Sequence, residues 1–284
     1  MASYLDIDLL RCFSIVAETG ALSRAAERIG RSQAAVSMQM KRLEDVVGQP
    51  LLNRTGRGVF MTVHGERLLT HARRILRSHD DALAELSGRN LSGTLRFGCP
   101  DDYADAFLPA LLRSFAQLHP QVMIEVVCAS TPRLVGQLDR NVLDLALTSV
   151  SLDTPRPVLR REDLVWVGPK NDGGDWPDPL RLALGDPDTL DHRAAVTALD
   201  QAKRGYQIAY SSGSLSGLLA VVRSGQAIAV LTKAAVPVDL CILSKTAGLP
   251  DLPKIGLILR MDERRASPIT RAFEAHIRTV LPTL

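Results

Sequence analysis

The chain has 284 residues, of which 46% are hydrophobic, 23% charged and 4% aromatic, and its formal net charge is +3. This length leaves room for two or three domains, and the composition is that of an ordinary soluble protein. The scarcity of aromatic side chains argues against base stacking as a main way of holding nucleic acid. The charge is uneven, because residues 21 to 77 hold eleven Lys and Arg against four Asp and Glu. A basic block on a near-neutral chain predicts a polyanionic partner at one end only.

The start of the chain, MASYLDIDLL, is acidic and does not resemble a signal peptide. No apolar run approaches the roughly 20 residues that span a bilayer. The cysteines are dispersed, without a Cys-x-x-Cys pair or a histidine at zinc spacing. We therefore expect buried, reduced thiols, a cytoplasmic protein, no membrane partner and no metal site.

Three short helices and a hairpin are predicted at the N-terminal end. Residues 6–19 place apolar side chains on one helical face. A second helix is predicted from an N-cap at Ser23 to Gly30, and a third begins after Ser32, another residue suited to capping. Residues 48–62, GQPLLNRTGRGVFMT, are typical of strand, glycine-rich turn and strand. Together they predict a helix-turn-helix with a two-stranded wing.

The third helix of this unit has the composition of a DNA-reading element. Gln can pair with adenine through two hydrogen bonds, and Ala, Met or Ser can meet a thymine methyl or a base edge. Arg and Lys beside the helix and on the wing can neutralise phosphates or enter a minor groove. A single surface Arg is usually only solvated, but the clustering favours DNA. The expected DNA-contacting residues are Arg31, Ser32, Gln33, Ala34, Ser37, Met38, Lys41, Arg42, Arg54 and Arg57.

A long helix is predicted from residue 65 to about residue 89. Its apolar residues step by four and three along the chain, and this heptad spacing needs a partner helix to cover it. Packing against the next domain of the same chain is the alternative. The expected dimerisation residues are Leu68, Ala72, Ile75, Leu76, Leu83 and Leu86.

Beyond residue 93 the pattern changes to alternating strands and helices. A strand–helix–strand–helix–strand run predicts a parallel sheet, and a second set of strands follows before a closing helix. Strands are expected at 94–99, 122–128, 143–148, 163–169, 208–214, 227–232 and 255–260, and helices at 104–118, about 131–140 and about 268–281.

The N-terminal stretch resembles the LysR-type transcriptional regulators almost without gaps. The resemblance runs through LLRCFSIVAETGALSRAAERIGRSQAAVSMQMKRLEDVVGQPLLNRTGRGVFMTVHGERLL. SQAAVSMQMKRLE, PLLNR and MTVHG are its most specific pieces. The length and the α/β region fit as well, so the resemblance covers the whole chain.

The resemblance implies a winged helix-turn-helix that is mainly α-helical and a long linker helix, followed by an α/β regulatory domain. This domain would resemble a type 2 periplasmic binding protein, with two subdomains enclosing an effector cleft. Family members dimerise through the linker helix and commonly form tetramers through their regulatory domains. The expected domains are 1–63 for DNA binding, 64–90 for the linker and 91–284 for regulation, with subdomain I at about 91–160 and 260–284 and subdomain II at about 161–259.

The implied function is sequence-specific transcription regulation controlled by a small-molecule effector. The implied partners are double-stranded operator DNA, the effector and further copies of the chain. No cofactor is expected. By this resemblance, the effector-binding residues are Pro100, Asp101, Asp102, Ser130, Thr131, Thr148, Ser211 and Ser212.

Two neighbouring carboxylates, Asp101 and Asp102, follow the first strand of the regulatory region. One of them is explained by the preference for Asp at a helix start. Two together would repel an anion, so they predict a neutral or amine-bearing effector, or none.

A redox-responsive regulator is one alternative, with Cys99 as the reactive thiol and Cys128 as its resolving partner. It needs a depressed thiol pKa, whereas the two nearby carboxylates would raise it. An architectural DNA-binding protein is another alternative, but it would not need a large α/β region.

Enzymatic and nucleotide-binding sites are not indicated. The serine- and glycine-rich stretch 211–217 lacks the spacing of a phosphate loop. Residues 184–192, LGDPDTLDH, gather acids near His192, but the proline and the spacing favour a solvated turn over a metal site. No nucleophile elbow or zinc-binding H-E-x-x-H is present, so no catalytic residue is predicted.

Overall fold

The computed structural model describes residues 4–55, 58–87, 91–170, 176–243 and 248–284, without the side chains of residues 54, 77, 81 and 84–87. The chain divides into two compact units, Met1–Arg89 and Asn90–Leu284. Within these described ranges, none of the helices combines the length and the apolar character that a membrane span requires.

The first unit is helical apart from a two-stranded wing. The wing strands pair antiparallel, with Leu52 opposite Met61 and Thr55 opposite Gly58. Its elements are α1 (Ile7–Thr19), α2 (Leu22–Ile29), α3 (Gln33–Val47), β1 (Leu52–Thr55), β2 (Gly58–Met61) and α4 (Val63–Ser87).

The turn between α2 and α3 follows from its sequence. Gly30 ends α2 with a φ of 69°, a left-handed conformation that glycine adopts without a steric penalty. Ser32 caps α3 as predicted, because its hydroxyl oxygen accepts a hydrogen bond from the Ala35 amide at 3.2 Å. The prediction that Ser23 caps α2 is wrong. The helix begins at Leu22, whose buried side chain joins the core from the first helical turn.

The core of the first unit lies between the three short helices and one face of α4. Helical spacing brings the apolar residues of each helix to the inner face. Arg11 on α1 also bonds Asp80 on α4, with a distance of 2.7 Å between Nη2 and Oδ1. The largest fully buried side chains here are Leu10, Phe13, Met40, Leu43 and Leu51.

Two residues of the predicted dimer seam are buried on the inner face of α4. Ala72 is fully buried and Leu76 is 8% exposed, both in the core that α4 shares with α1 to α3. A side chain without exposed surface has little to offer a partner helix. The dimerisation prediction is therefore wrong for these two residues, because a heptad pattern does not distinguish a partner from the chain's own first helices.

The corner between the wing and α4 is closely packed. The Thr62 hydroxyl donates a hydrogen bond to the Pro50 carbonyl at 2.7 Å and accepts one from the Gly65 amide at 3.0 Å. A Cβ added at Gly65 would collide with the carbonyl oxygen of Leu51. Only glycine fits at this corner without displacing the backbone.

We therefore expect Gly65→Ala to lower the free energy of unfolding by about 1–3 kcal/mol, because the obstacle is backbone that cannot rotate away. Urea denaturation of the full-length protein would measure this. Gly136→Ala is the matched control, since its Cβ would meet only the flexible end of Arg140 at 3.7 Å, and it should be neutral or stabilising. A Gly65→Ala protein as stable as the parent would contradict the assignment.

The second unit is α/β. Its helices are α5 (Asp101–Leu118), α6 (Thr131–Asp139), α7 (Leu190–Gln201), α8 (Leu215–Arg223) and α9 (Pro268–Val280). Its strands are β3 (Gly93–Cys99), β4 (Val122–Cys128), β5 (Leu145–Ser151), β6 (Arg160–Pro169), β7 (Leu180–Leu184), β8 (Tyr206–Ser211), β9 (Ala229–Thr232), β10 (Leu240–Ile242) and β11 (Lys254–Met261).

The larger sheet of the second unit has the order β10-β6-β11-β5-β3-β4, with β9 also paired to β6. The predicted parallel run is confirmed, since β3 pairs in parallel with both β4 and β5. β11 returns from the far end of the chain and pairs antiparallel with β5 and with β6. β7 and β8 form a separate parallel pair.

Two main hydrophobic cores divide the second unit. The rings of Phe97, Phe115 and Phe273 pack edge to face, with centroids 5.1 Å and 4.7 Å apart, and join β3, α5 and α9. Trp166 and Leu199 belong to the other core, which joins β6, β7 and α7. The two cores draw on the same parts of the chain as the two expected subdomains, whose boundaries stay a prediction.

Candidate DNA-recognition surface and effector cleft

The outer face of α3 carries the predicted DNA-contacting residues. Val36, Met40 and Leu43 point into the core, so the opposite side of the helix faces outward. Met38 is 70% exposed, and Ser37 is half-buried at the edge of this face. The exposed members of the predicted set are Arg31, Ser32, Gln33, Ala34, Met38, Lys41 and Arg42.

The wing is fixed to α3 by Glu44, a residue that sequence reasoning missed. Its carboxylate accepts hydrogen bonds from the amides of Leu51 at 2.7 Å and Leu52 at 3.1 Å. Phe60 on β2 is also exposed (56%) and was not predicted. The Arg54 side chain and the whole of Arg57 lie outside the described residues.

The remaining residues of the predicted dimer seam lie along α4. Leu68 and Ile75 are partly buried against the core of the first unit. Leu83 is 57% exposed near the C-terminal end of the helix, and the side chain of Leu86 lies outside the described residues. Among the members of the set whose side chains the structure describes, Leu83 is thus the most exposed.

A cavity of about 550 Å³ opens in the second unit, where the strand ends and helix starts of its two cores meet. Six of the eight predicted effector-binding residues line it. Its wall includes Pro100, Asp101, Asp102, Ser130, Thr131 and Ser212.

The other two predicted residues, Thr148 and Ser211, do not line the cavity, so the prediction is corrected for both. β5 runs to Ser151 instead of ending at residue 148, so Thr148 is buried within the strand and Ser149 and Ser151 reach the cavity. Ser211 is the last residue of β8 and is exposed, while Ser212 enters the cavity wall. In both cases a strand boundary displaced by a few residues changed the side chain that faces the cavity.

The opposite wall comes from the stretch predicted as a solvated turn. Pro187 and Asp188 do form an exposed turn, but the stretch continues into α7 from Leu190 and lines the cavity. Thr189 is the N-cap residue of α7, and Asp191 lies in its first turn. His192 contacts the Gly185 carbonyl oxygen through Nδ1 at 2.9 Å. The sequence held a usable signal, because Thr189 and Asp191 precede an apolar run at helical spacing. The cavity-lining residues that were missed here are Gly185, Asp186, Asp188, Thr189, Leu190, Asp191 and Arg193.

Carboxylates dominate the electrostatics of this cavity. Burial, and after it the charges of the neighbouring Asp191 and Asp101, together raise the pKa of Asp102 to about 7. Burial also raises the pKa of Asp191 and of Asp101, although Arg133 lowers that of Asp101. Like charges in a partly desolvated cleft disfavour one another's ionised forms.

Several hydroxyls at the helix starts are already engaged. Thr131 Oγ1 accepts a hydrogen bond from the Ser149 amide at 3.1 Å and so ties α6 to β5. Ser214 caps α8 by accepting from the Gly217 amide at 3.3 Å. Ser130 Oγ is buried in the cavity wall and has no hydrogen-bond partner among the described residues.

The environment of Cys99 argues against the redox alternative. Its thiol is 1% exposed, and burial raises its pKa far above the usual range. Cys128 lies opposite it in the β3–β4 register, and burial raises its pKa too. Neither residue is held as the thiolate that oxidation needs.

Two protein-family models match almost the whole chain. One, described as a bacterial regulatory helix-turn-helix protein of the lysR family, matches residues 7–66, and the LysR substrate binding domain matches residues 88–282. The HTH-type transcriptional regulator DgdR of Burkholderia cepacia is 57% identical over 281 residues, which cover 99% of this chain and 96% of that protein. The chain belongs to the LysR family.

More distant members agree with this. The HTH-type transcriptional regulator PecT of Dickeya dadantii (strain 3937) is 32% identical over 276 residues, covering 97% of this chain and 87% of that protein. The crystal structure of full-length CbnR complexed with its target DNA matches with a TM-score of 0.65 at 22% identity, covering 97% of this chain and 99% of that one. The fold is therefore a helix-turn-helix unit followed by a periplasmic-binding-protein-like regulatory domain. These relatives are named as regulators and not as enzymes.

The raised pKa of Asp102 predicts a pH-dependent stability. The folded protein keeps this proton up to about pH 7, whereas an unfolded chain releases it near pH 4. The unfavourable ionisation is therefore absent at pH 4 and complete above pH 7, so this group lowers stability as the pH rises. We expect Asp102→Asn to raise the melting temperature by on the order of 5 °C at pH 8 and by little at pH 4.

The control for this measurement is Asp105→Asn. Asp105 is exposed on the same helix and does not line the cavity, so its replacement should leave the melting temperature unchanged at both pH values. An equal shift of Asp102→Asn at pH 4 and pH 8 would show that burial does not hold the Asp102 proton.

Proposed function

We propose that this LysR-family member is a cytoplasmic, sequence-specific DNA-binding regulator that responds to a small effector in the acidic cavity of its second unit. The outward face of α3 is the observation that supports DNA reading. Its exposed side chains include hydrogen-bonding groups suited to base edges and cations suited to phosphates. Such a helix can enter a major groove while the wing lies beside the backbone.

Within this surface we assign different roles to side chains of different chemistry. Gln33 stands at the first position of α3, where the N-terminal end of a recognition helix contacts base edges. Ser37 follows one turn later. Lys41 is exposed another turn on, and its point charge suits a phosphate. Gln33 and Ser37 therefore recognise bases, and Lys41 binds a phosphate of the DNA backbone.

We expect Gln33→Ala to relax discrimination at one base pair of each half-site by about 1–3 kcal/mol, because a bidentate contact is lost. Competitive gel-shift assays with operators mutated one position at a time would locate the relaxed position. Lys41→Ala is the contrasting variant. It should weaken binding to all sequences alike and reduce the salt dependence by about one phosphate contact. An unchanged operator preference in Gln33→Ala would mean that the recognition face is misassigned.

We also propose that copies of the chain pair through α4, with Leu83 in the contact. The exposed surface of this leucine at heptad spacing supports the assignment, whereas most of the inner face of α4 is already covered. A dimer would place two α3 helices on two half-sites of one operator. Tetramers through the second units would extend this arrangement.

Leu83→Lys should shift the oligomer toward smaller species and weaken binding to a two-half-site operator by at least about 10-fold, because a charge would enter an apolar seam. Ser78→Lys is the control, since Ser78 is exposed on the same helix and lies outside the heptad set. Sedimentation at several protein concentrations would compare the two. An unaltered distribution in Leu83→Lys would remove this residue from the interface.

A further inference from the structure

The cavity brings together two carboxylates that lie 89 positions apart in the sequence. Asp102 and Asp191 each lie in the first turn of a helix, α5 and α7, and the two helices belong to different cores of the second unit. Burial and then the charge of Asp191 are the largest causes of the raised Asp102 pKa. The two side chains are therefore close enough to interact and both are partly shielded from water.

Asp102 lacks the partners that its neighbours have. Asp186 pairs with Arg133 at 3.0 Å, and Asp153 accepts a hydrogen bond from the Ser151 hydroxyl at 3.1 Å. The Asp102 carboxylate accepts no hydrogen bond from the described residues, and it does not cap its own helix. Helix capping therefore does not account for this acid.

Two buried hydroxyl oxygens lie in the wall of the same cavity. Thr232 is 1% exposed, and its side chain interacts with the Tyr103 hydroxyl, which also contacts Ser149 Oγ at 3.5 Å. Ser130 Oγ is buried and has no hydrogen-bond partner among the described residues. A buried polar atom without a partner is costly, so Ser130 Oγ is suited to bond a ligand or a water molecule. Both hydroxyl oxygens can accept a hydrogen bond.

The wall also offers apolar contacts. Leucine, isoleucine and valine side chains lie among the acids, and a cavity of about 550 Å³ accommodates a small organic molecule. A bare metal ion fits less well, since the described residues hold no cluster of three His, Cys, Asp or Glu side chains that could hold one. The apolar members are Val150, Leu164, Leu190, Leu215, Leu218 and Ile255.

We propose that the effector carries a primary ammonium group on a small aliphatic body, with the ammonium held between Asp102 and Asp191. An ammonium has three N–H donors and no acceptor, which complements two carboxylates and two acceptor hydroxyls. The aliphatic body lies against the apolar wall. This inference rests on the proposed function, in which the cavity is the effector site.

Three probes of similar shape test the head group: butylammonium, butanamide and butyrate, added to the full-length protein at matched ionic strength. A ligand that binds the folded state raises the melting temperature in proportion to RT ln(1 + [L]/Kd). We expect butylammonium to bind at least about 10-fold more tightly than the other two, because charge-assisted hydrogen bonds to carboxylates are lost in both.

Asp102→Asn and Asp191→Asn should each weaken butylammonium binding by at least about 10-fold, while Asp105→Asn should leave it unchanged. Preferred binding of butyrate or butanamide, butylammonium binding that both variants leave intact, or no shift from butylammonium up to about 50 mM would each overturn the ammonium site.

The cavity itself is tested separately with Gly213→Trp. Gly213 lines the cavity, and a Cβ added there meets side-chain ends alone, Arg133 Nη2 at 3.3 Å and Asp186 Oδ1 at 3.7 Å. The indole should fill the space and abolish the shift from every probe that binds. A probe that still binds this variant in the same way binds elsewhere, and the proposed effector function would then fail together with the ammonium site.

Discussion

One strand, β11, holds the second unit together. It pairs with β5 of one core over all but its first residue, from Ile255 opposite Ser151 to Met261 opposite Leu145. Its first residues also pair with β6 of the other core, from Lys254 to Leu257. Because the same backbone serves both ladders, the helix starts of α5 and α6 are brought opposite the start of α7. The cavity between them is a consequence of this shared strand.

Asp102, Asp191 and Asp101 in that cavity oppose folding when they ionise, because burial raises the pKa of each. Asp102 has no hydrogen bond among the described residues that would offset this cost, and a hydrophobic residue at position 102 would relieve it. Such local conflicts between stability and sequence are expected where a protein binds something. By contrast, Glu44 in the first unit satisfies two amides of the wing and stabilises the element that it positions. Asp102 and Glu44 thus have opposite effects on the stability of the folded protein.

Local signals predicted the first unit well. Ser32, the turn at Gly30 and the apolar spacing on α3 all lie within 15 residues of one another, and the helix begins at the residue that they predict. The heptad pattern of α4 was less informative, because Ala72 fits a partner helix and an intramolecular core equally well. Most effector-cleft positions followed from the family resemblance, but Thr148 failed because strand ends are poorly specified by local sequence. Asp191 was missed because its place opposite Asp102 depends on sheet pairing far along the chain.

The placement of Asp102 and Asp191 also suggests how a bound ligand could change the conformation of the second unit. Their mutual repulsion opposes any arrangement in which α5 and α7 approach, and these helices are anchored in different cores. A cation between the two carboxylates is attracted by both of them. It would therefore bind more tightly when α5 and α7 are close together than when they are apart. Differential affinity of this kind is the condition for a ligand to shift a conformational equilibrium. A neutral ligand of the same shape would fill the space and leave the repulsion in place, so under the proposed ammonium site the charge of the head group would matter more than its volume.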